Sequence, residues 1–215
     1  MSLDQMEALL TQVQSAVFAM PSGHLDDYRN TPRLFPVVSL ECLSKAESVL
    51  GFNFPPIMRE IYARIGNGGV NLGGIMGVVI SGHSPDVVPC EDDDLIHAYC
   101  NIFGADDDWP ACLLPLEDLG CNAWLFVKCD EPEYPVWAYV ADYYGPQESP
   151  PEGLSVDEQD AFMTPLWEQY ESTISYSDMT QPFWVPISPS LESWWMNWLE
   201  NPTLSSDPRL RDIAT

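Results

Sequence analysis

Apolar side chains recur along the first fifty residues at helical spacing. Leu3, Met6, Leu10, Val13 and Val17 share one face, which predicts a helix from Leu3 to about Ala19, capped by Ser2 and stopped by Pro21-Ser22-Gly23. A short strand fits Leu34 to Val38. A second helix starts after Ser39, with Leu40, Leu43, Ala46, Val49 and Leu50 as its stripe and Gly51 just past its end. A third opens at Pro55-Pro56, where a proline costs little because first-turn N–H groups have no helical partner. Ile57, Met58, Ile61, Tyr62 and Ile65 give its buried face, and Gly66 to Gly69 end it.

The period then shortens. A strand fits Ile75 to Ile80, and a helix fits Glu91 to Phe103 with Leu95, Ile96, Tyr99, Ile102 and Phe103 apolar. From Trp109 to Gly145 the chain reads as a meander. Ala111 to Leu114 is one strand, Asp118-Leu119-Gly120 turns, Cys121 to Cys129 is the next, and Val136 to Ala141 is a third. Close spacing of consecutive strands points to antiparallel pairing. Gln147 to Ser155 reads as an exposed loop, and Asp157 to Ser175 as a helix with Phe162, Leu166, Trp167 and Tyr170 on one face. Phe183 to Ile187 is an edge strand, since Pro182 and Pro186 suit an edge. The last helix has Ser188 as its cap, Pro189 in its first turn, and Leu191, Trp194, Trp195, Trp198 and Leu199 on one side. That tryptophan stripe reads as core before it reads as a binding face. Residues 201–215 form a loose polar tail.

Charge changes the picture most. The formal net charge is -25, and between Gly66 and Pro208 stand 25 Asp and Glu against one base, Lys128. Such a surface repels nucleic acid and anionic lipid and speeds encounter with a basic protein. No run is long and apolar enough to span a membrane, and the N-terminus lacks a basic region ahead of an apolar run, so the reading is a cytoplasmic protein. The cysteines, Cys42, Cys90, Cys100, Cys112, Cys121 and Cys129, contain no C-x-x-C pair and read as reduced, mostly buried thiols.

Site chemistry is sparse. The glycines after Asn67 lack the lysine of a phosphate loop, and they follow a helix and precede a strand, the reverse of the dinucleotide order. His97 and Cys100 are three apart on one helix, but two residues make a weak metal site. The acidic runs Asp92-Asp93-Asp94 and Asp106-Asp107-Asp108 lack the alternation that wraps calcium. No G-x-S-x-G or C-G-x-C-[WY] occurs. The expectation is therefore no catalytic residue, no metal and no cofactor.

One ordered set of short motifs goes further. Ala46-Glu47, Leu50-Gly51, Phe54-Pro55, Ile61-Tyr62 and Asn67-Gly68-Gly69 follow one another, then Leu113-Leu114-Pro115, Asp118-Leu119-Gly120 with Trp124, and Ser190 through Leu199 around Trp194. Together they resemble the SUKH superfamily, the Smi/Knr-like group of fungal cell-wall-synthesis regulators and bacterial toxin-immunity proteins, over about Ser39 to Glu200. Phe54 stands where that pattern has leucine. The resemblance implies an α+β fold in which helices pack on a mainly antiparallel sheet of five or six strands. It implies one domain over 1–200, with an N-terminal helical extension at 1–20 and an insertion near 147–175. Pro55, Asn67, Gly68, Gly69, Pro115, Gly120 and Trp194 are then structural. It also implies a binding protein and no enzyme: an antidote that blocks a basic, nuclease-like toxin domain, or alternatively a scaffold that recruits host proteins. The residues expected to pair with Lys and Arg of the partner are Asp92, Asp93, Asp94, Asp106, Asp107 and Asp108.

Overall fold

Four strands in sequential order, β1 (Leu113–Gly120), β2 (Ala123–Lys128), β3 (Val136–Val140) and β4 (Trp184–Ser188), form one fully antiparallel sheet. The structure is a computed structural model and describes residues 1–19, 34–68, 75, 77–78, 95, 99, 109–120, 123–140 and 149–200. Five helices accompany the sheet among these residues: α1 (Leu3–Ala19), α2 (Leu40–Leu50), α3 (Pro56–Arg64), α4 (Val156–Glu171) and α5 (Leu191–Glu200). The α+β expectation therefore holds. The described strands number four, not five or six. Leu34 to Val38 runs extended without joining the sheet, and Ile75 and Gly77 form single bridges. Most of the helix expected over Glu91 to Phe103 lies outside the described residues.

The meander differs in one respect from its sequence reading. Asp118-Leu119-Gly120 is not a turn but the end of β1, where Asp118 pairs with Trp124 and Gly120 with Ala123. Register shifts at Leu116 and Leu119 bend this edge strand and absorb residues that read as turn formers. Pro115 and Pro186 sit on β1 and β4, the outermost of the described strands, where a missing N–H costs no central ladder bond.

The sheet is sided. Ala123, Leu125, Val127, Val136, Ala138 and Val140 are small or branched and buried. The other face carries aromatic rings: Phe126 pairs with Trp137, and Tyr139 pairs with Trp124 and Trp184. Trp109 closes over it, with ring centroids 5.1 Å from Tyr139 and 5.2 Å from Trp184. Such offset and edge-on ring contacts add to the gain from burial.

Helix α1 packs on α3 and α5, α2 on α3, and α5 against β4. Ser2 and Gln5 cap α1 reciprocally, the Gln5 N–H donating to Ser2 Oγ and the Ser2 N–H to Gln5 Oε1. Ser39 caps α2 through the Cys42 N–H, and Gly51 closes it in the left-handed region. The buried face of α3 is the one its periodicity gives. The other stripes are narrower than their patterns: Leu3, Leu40 and Val49 are exposed, while Leu9 is buried. The α5 tryptophans are core, with Trp194, Trp195 and Trp198 all buried. The cap of α5 is Ser190, which accepts the Ser193 N–H at 3.0 Å. Ser188 is instead the last residue of β4, and its hydroxyl donates to the Ser190 carbonyl.

Candidate functional site

The Asn-Gly-Gly segment is a fastener. Asn67 follows α3, and its side-chain amide makes two bonds to one residue: Nδ2 donates to the Val78 carbonyl at 2.9 Å, and Oδ1 accepts the Val78 N–H at 2.8 Å. Its backbone N–H donates to Phe35, whose own N–H reaches the Gly68 carbonyl. Gly68 has a φ of 84°, a conformation that favours glycine. Gly77 permits the approach of the two segments, since a Cβ there would stand 2.5 Å from the Asn67 carbonyl oxygen. Gly69 lies outside the described residues.

A second fastener links α2 to α3. Glu47 Oε1 accepts the Phe54 N–H at 3.0 Å, and Oε2 pairs with Arg59. Pro55 is buried at the head of α3, between these two contacts. Pro115, Gly120 and Trp194 likewise hold strand or core positions.

The described cations are all engaged. Lys45 pairs with Glu41, Arg59 with Glu47, and Arg64 with Glu7 and Glu60. Lys128, the one base between Gly66 and Pro208, binds Asp130 at 2.8 Å and the Ala111 carbonyl at 2.9 Å, and its side chain is only 13 % exposed. Glu131, Glu133, Glu152, Asp157, Asp160, Glu168 and Glu200 meanwhile stand exposed. The surface thus presents carboxylates with few opposite charges to offset them. Asp92, Asp93, Asp94, Asp106, Asp107 and Asp108 lie outside the described residues.

One groove of about 400 Å³ opens where α1, α3 and α5 begin. Leu3, Met6, Ile57 and Tyr134 wall it, and Glu133 and Glu192 stand at its rim. The Glu133 carbonyl accepts the Leu191 N–H, which joins the β2–β3 loop to the start of α5. Sequence reading missed this groove because its walls come from four segments far apart in the chain. Its lining contains no Cys, His, Lys or Arg side chain.

Among the described residues, Cys42, Cys112 and Cys129 are free and intermediate in exposure, where the sequence reads the cysteines as mostly buried; Cys90, Cys100 and Cys121 lie outside the described residues. Burial pushes the Cys129 thiol well above its ordinary range, with the neighbouring Cys112 adding to the effect. Burial also raises Cys112. Both therefore stay protonated and weakly nucleophilic at neutral pH. Among the described residues no three His, Cys, Asp or Glu side chains converge as for a metal ion, and no helix is long and apolar enough to cross a membrane.

Two fasteners, a sided sheet and an acid-rich exterior describe a frame that presents a surface. The model of the SMI1 / KNR4 family (SUKH-1) matches residues 38–194, well over half of the chain. A search of curated proteins and a search of solved structures each returned no match.

Proposed function

The chain belongs to the SMI1 / KNR4 family (SUKH-1), and from that premise we propose that it is a non-catalytic, cytoplasmic immunity protein that binds and blocks a basic toxin domain, such as a nuclease. The observation that carries the reading is charge without compensation. The net charge is -25, and each described cation is already paired within the fold. Exposed carboxylates of one sign steer a basic partner inward and disfavour acidic ones. A toxin that degrades nucleic acid must itself present Lys and Arg to phosphate, so its active face matches this surface.

The Asp92-Asp93-Asp94 and Asp106-Asp107-Asp108 runs supply six further carboxylates for the same pairing. The experiment reverses both runs to lysine. It then measures affinity for the C-terminal domain encoded by the adjacent reading frame, at low and at physiological salt. The reading expects slower association and a flatter salt dependence. Unchanged affinity at low salt removes these residues from the contact. Several partners of moderate affinity, in place of one tight partner, favour the scaffold role instead.

A further inference from the structure

Helix α4 departs from the other four helices. It spans sixteen residues, yet none of the side chains described along it is fully buried: Phe162, Met163, Leu166 and Tyr170 are half-buried and the others stand exposed. Among the described residues, Phe162, Leu166 and Trp167 belong neither to the core nor to the side chains packed on it. Trp167 is 42 % exposed and meets Tyr170 edge-on at 6.0 Å. Isolated helices of this length are marginal in water, and Pro165 in its interior removes a further backbone bond. Its start is held locally, by Ser155 donating through its N–H and hydroxyl to the Glu158 carboxylate at 2.9 and 2.6 Å.

Its charge is as lopsided as its packing. Asp157, Glu158, Asp160 and Glu168 are exposed acids, and the helix contains no Lys or Arg. Asp157 and Glu158 suit the positive end of a helix dipole. Glu168 stands near the negative end and works against it. An acid there is a local cost, and a basic ligand would offset it. An exposed tryptophan such as Trp167, flanked by charge, has the composition of an interface anchor, and an amphipathic helix laid into an apolar groove is a common way to use one.

We infer that α4 is the docking element: Trp167 inserts into an apolar groove on a basic protein, and the flanking acids pair with Lys or Arg at its rim. The inference rests on the proposed immunity role and names the part of the chain that makes the contact.

The test uses the full chain and the purified C-terminal domain of the adjacent reading frame as probe. The variants are Trp167→Ala and the pair Asp160→Lys with Glu168→Lys. Both alter exposed positions, and an unchanged unfolding midpoint checks that the fold is kept. Affinity falls about tenfold or more for Trp167→Ala, as for an aromatic anchor. The lysine pair lowers the association rate and flattens its salt dependence. Hydrogen exchange slows over 156–171 when the probe binds the unaltered chain. If the probe binds but exchange in α4 does not change and Trp167→Ala binds equally well, the inference is wrong and the immunity role stands. If the unaltered chain does not bind the probe, the immunity role falls and the inference with it. If the free chain is a dimer that Trp167→Ala dissolves, this face joins two copies and the inference is again wrong.

Discussion

The amide of Asn67 pairs with both backbone groups of Val78, taking the place of a strand neighbour at a point where the chain has just left α3. One side chain thereby satisfies a backbone donor and an acceptor of a buried residue. Asparagine alone among the common side chains of this size offers both functions with this spacing, apart from its longer homologue glutamine.

Asn67→Ala removes both bonds to Val78. Each hydrogen bond is worth about 1 kcal/mol net, and unsatisfied buried groups cost more, so the loss is about 2–4 kcal/mol. Asn67→Asp keeps an acceptor for the Val78 N–H but sets a carboxylate against the Val78 carbonyl, and it is also destabilising. Urea unfolding at constant slope measures both. A change below about 0.5 kcal/mol for Asn67→Ala, the range of ordinary surface substitutions, contradicts the fastener.

The Glu47 side chain is 9 % exposed and serves two partners, the Phe54 N–H and Arg59. Glu47→Ala loses both and leaves Arg59 without its counter-charge, a cost of about 2–3 kcal/mol for a partly buried pair. Glu47→Gln keeps an acceptor for Phe54 and costs less. A double-mutant cycle with Arg59→Met isolates the ion pair. Equal costs for Ala and Gln show that the Phe54 contact contributes nothing.

Burial holds the Cys129 thiol and the Tyr62 hydroxyl above their ordinary values of 9.0 and 10.0. In the unfolded chain both groups release protons at those values, while the folded chain retains them. The stability they contribute is complete below pH 9.0 and declines as pH rises past it toward the folded values. Unfolding midpoints measured from pH 7 to 10.5 fall accordingly, and Cys129→Ala flattens the first part of the fall. Alkylation of Cys129 in the folded chain stays slow at pH 8. Rapid labelling there contradicts the burial argument.

Sequence pattern showed helices well where several apolar residues agreed, and less well at their margins. Ile57, Met58, Ile61, Tyr62 and Ile65 left α3 a single possible face, and that face is buried. Leu40 and Val49 lie at the sides of the α2 stripe, and hydrophobic type does not tell whether a neighbour reaches that far. Asp118-Leu119-Gly120 looked like a turn because polar and glycine residues mark turns, but a bulged edge strand tolerates them as well. Ser188 and Ser190 are equal candidates for a cap, and only the Ser193 N–H decides between them. The resemblance marked Asn67 and Pro55 as positions of the frame, but no local pattern named Val78 as the partner of Asn67. The groove walled by Leu3, Ile57 and Tyr134 was not, because no local pattern links residues so far apart. Nor did the face of α4 show that it is left out of the core formed by the described residues, since an amphipathic stripe looks the same whether or not the domain covers it.

The central claim is that this protein neutralises a toxin by binding it. The most direct measurement expresses the C-terminal domain of the adjacent reading frame in a sensitive host and follows growth with and without this chain. The account predicts killing that this chain reverses and that an unrelated acidic protein of similar charge does not. A harmless neighbouring domain, or killing that this chain leaves unchanged, contradicts it.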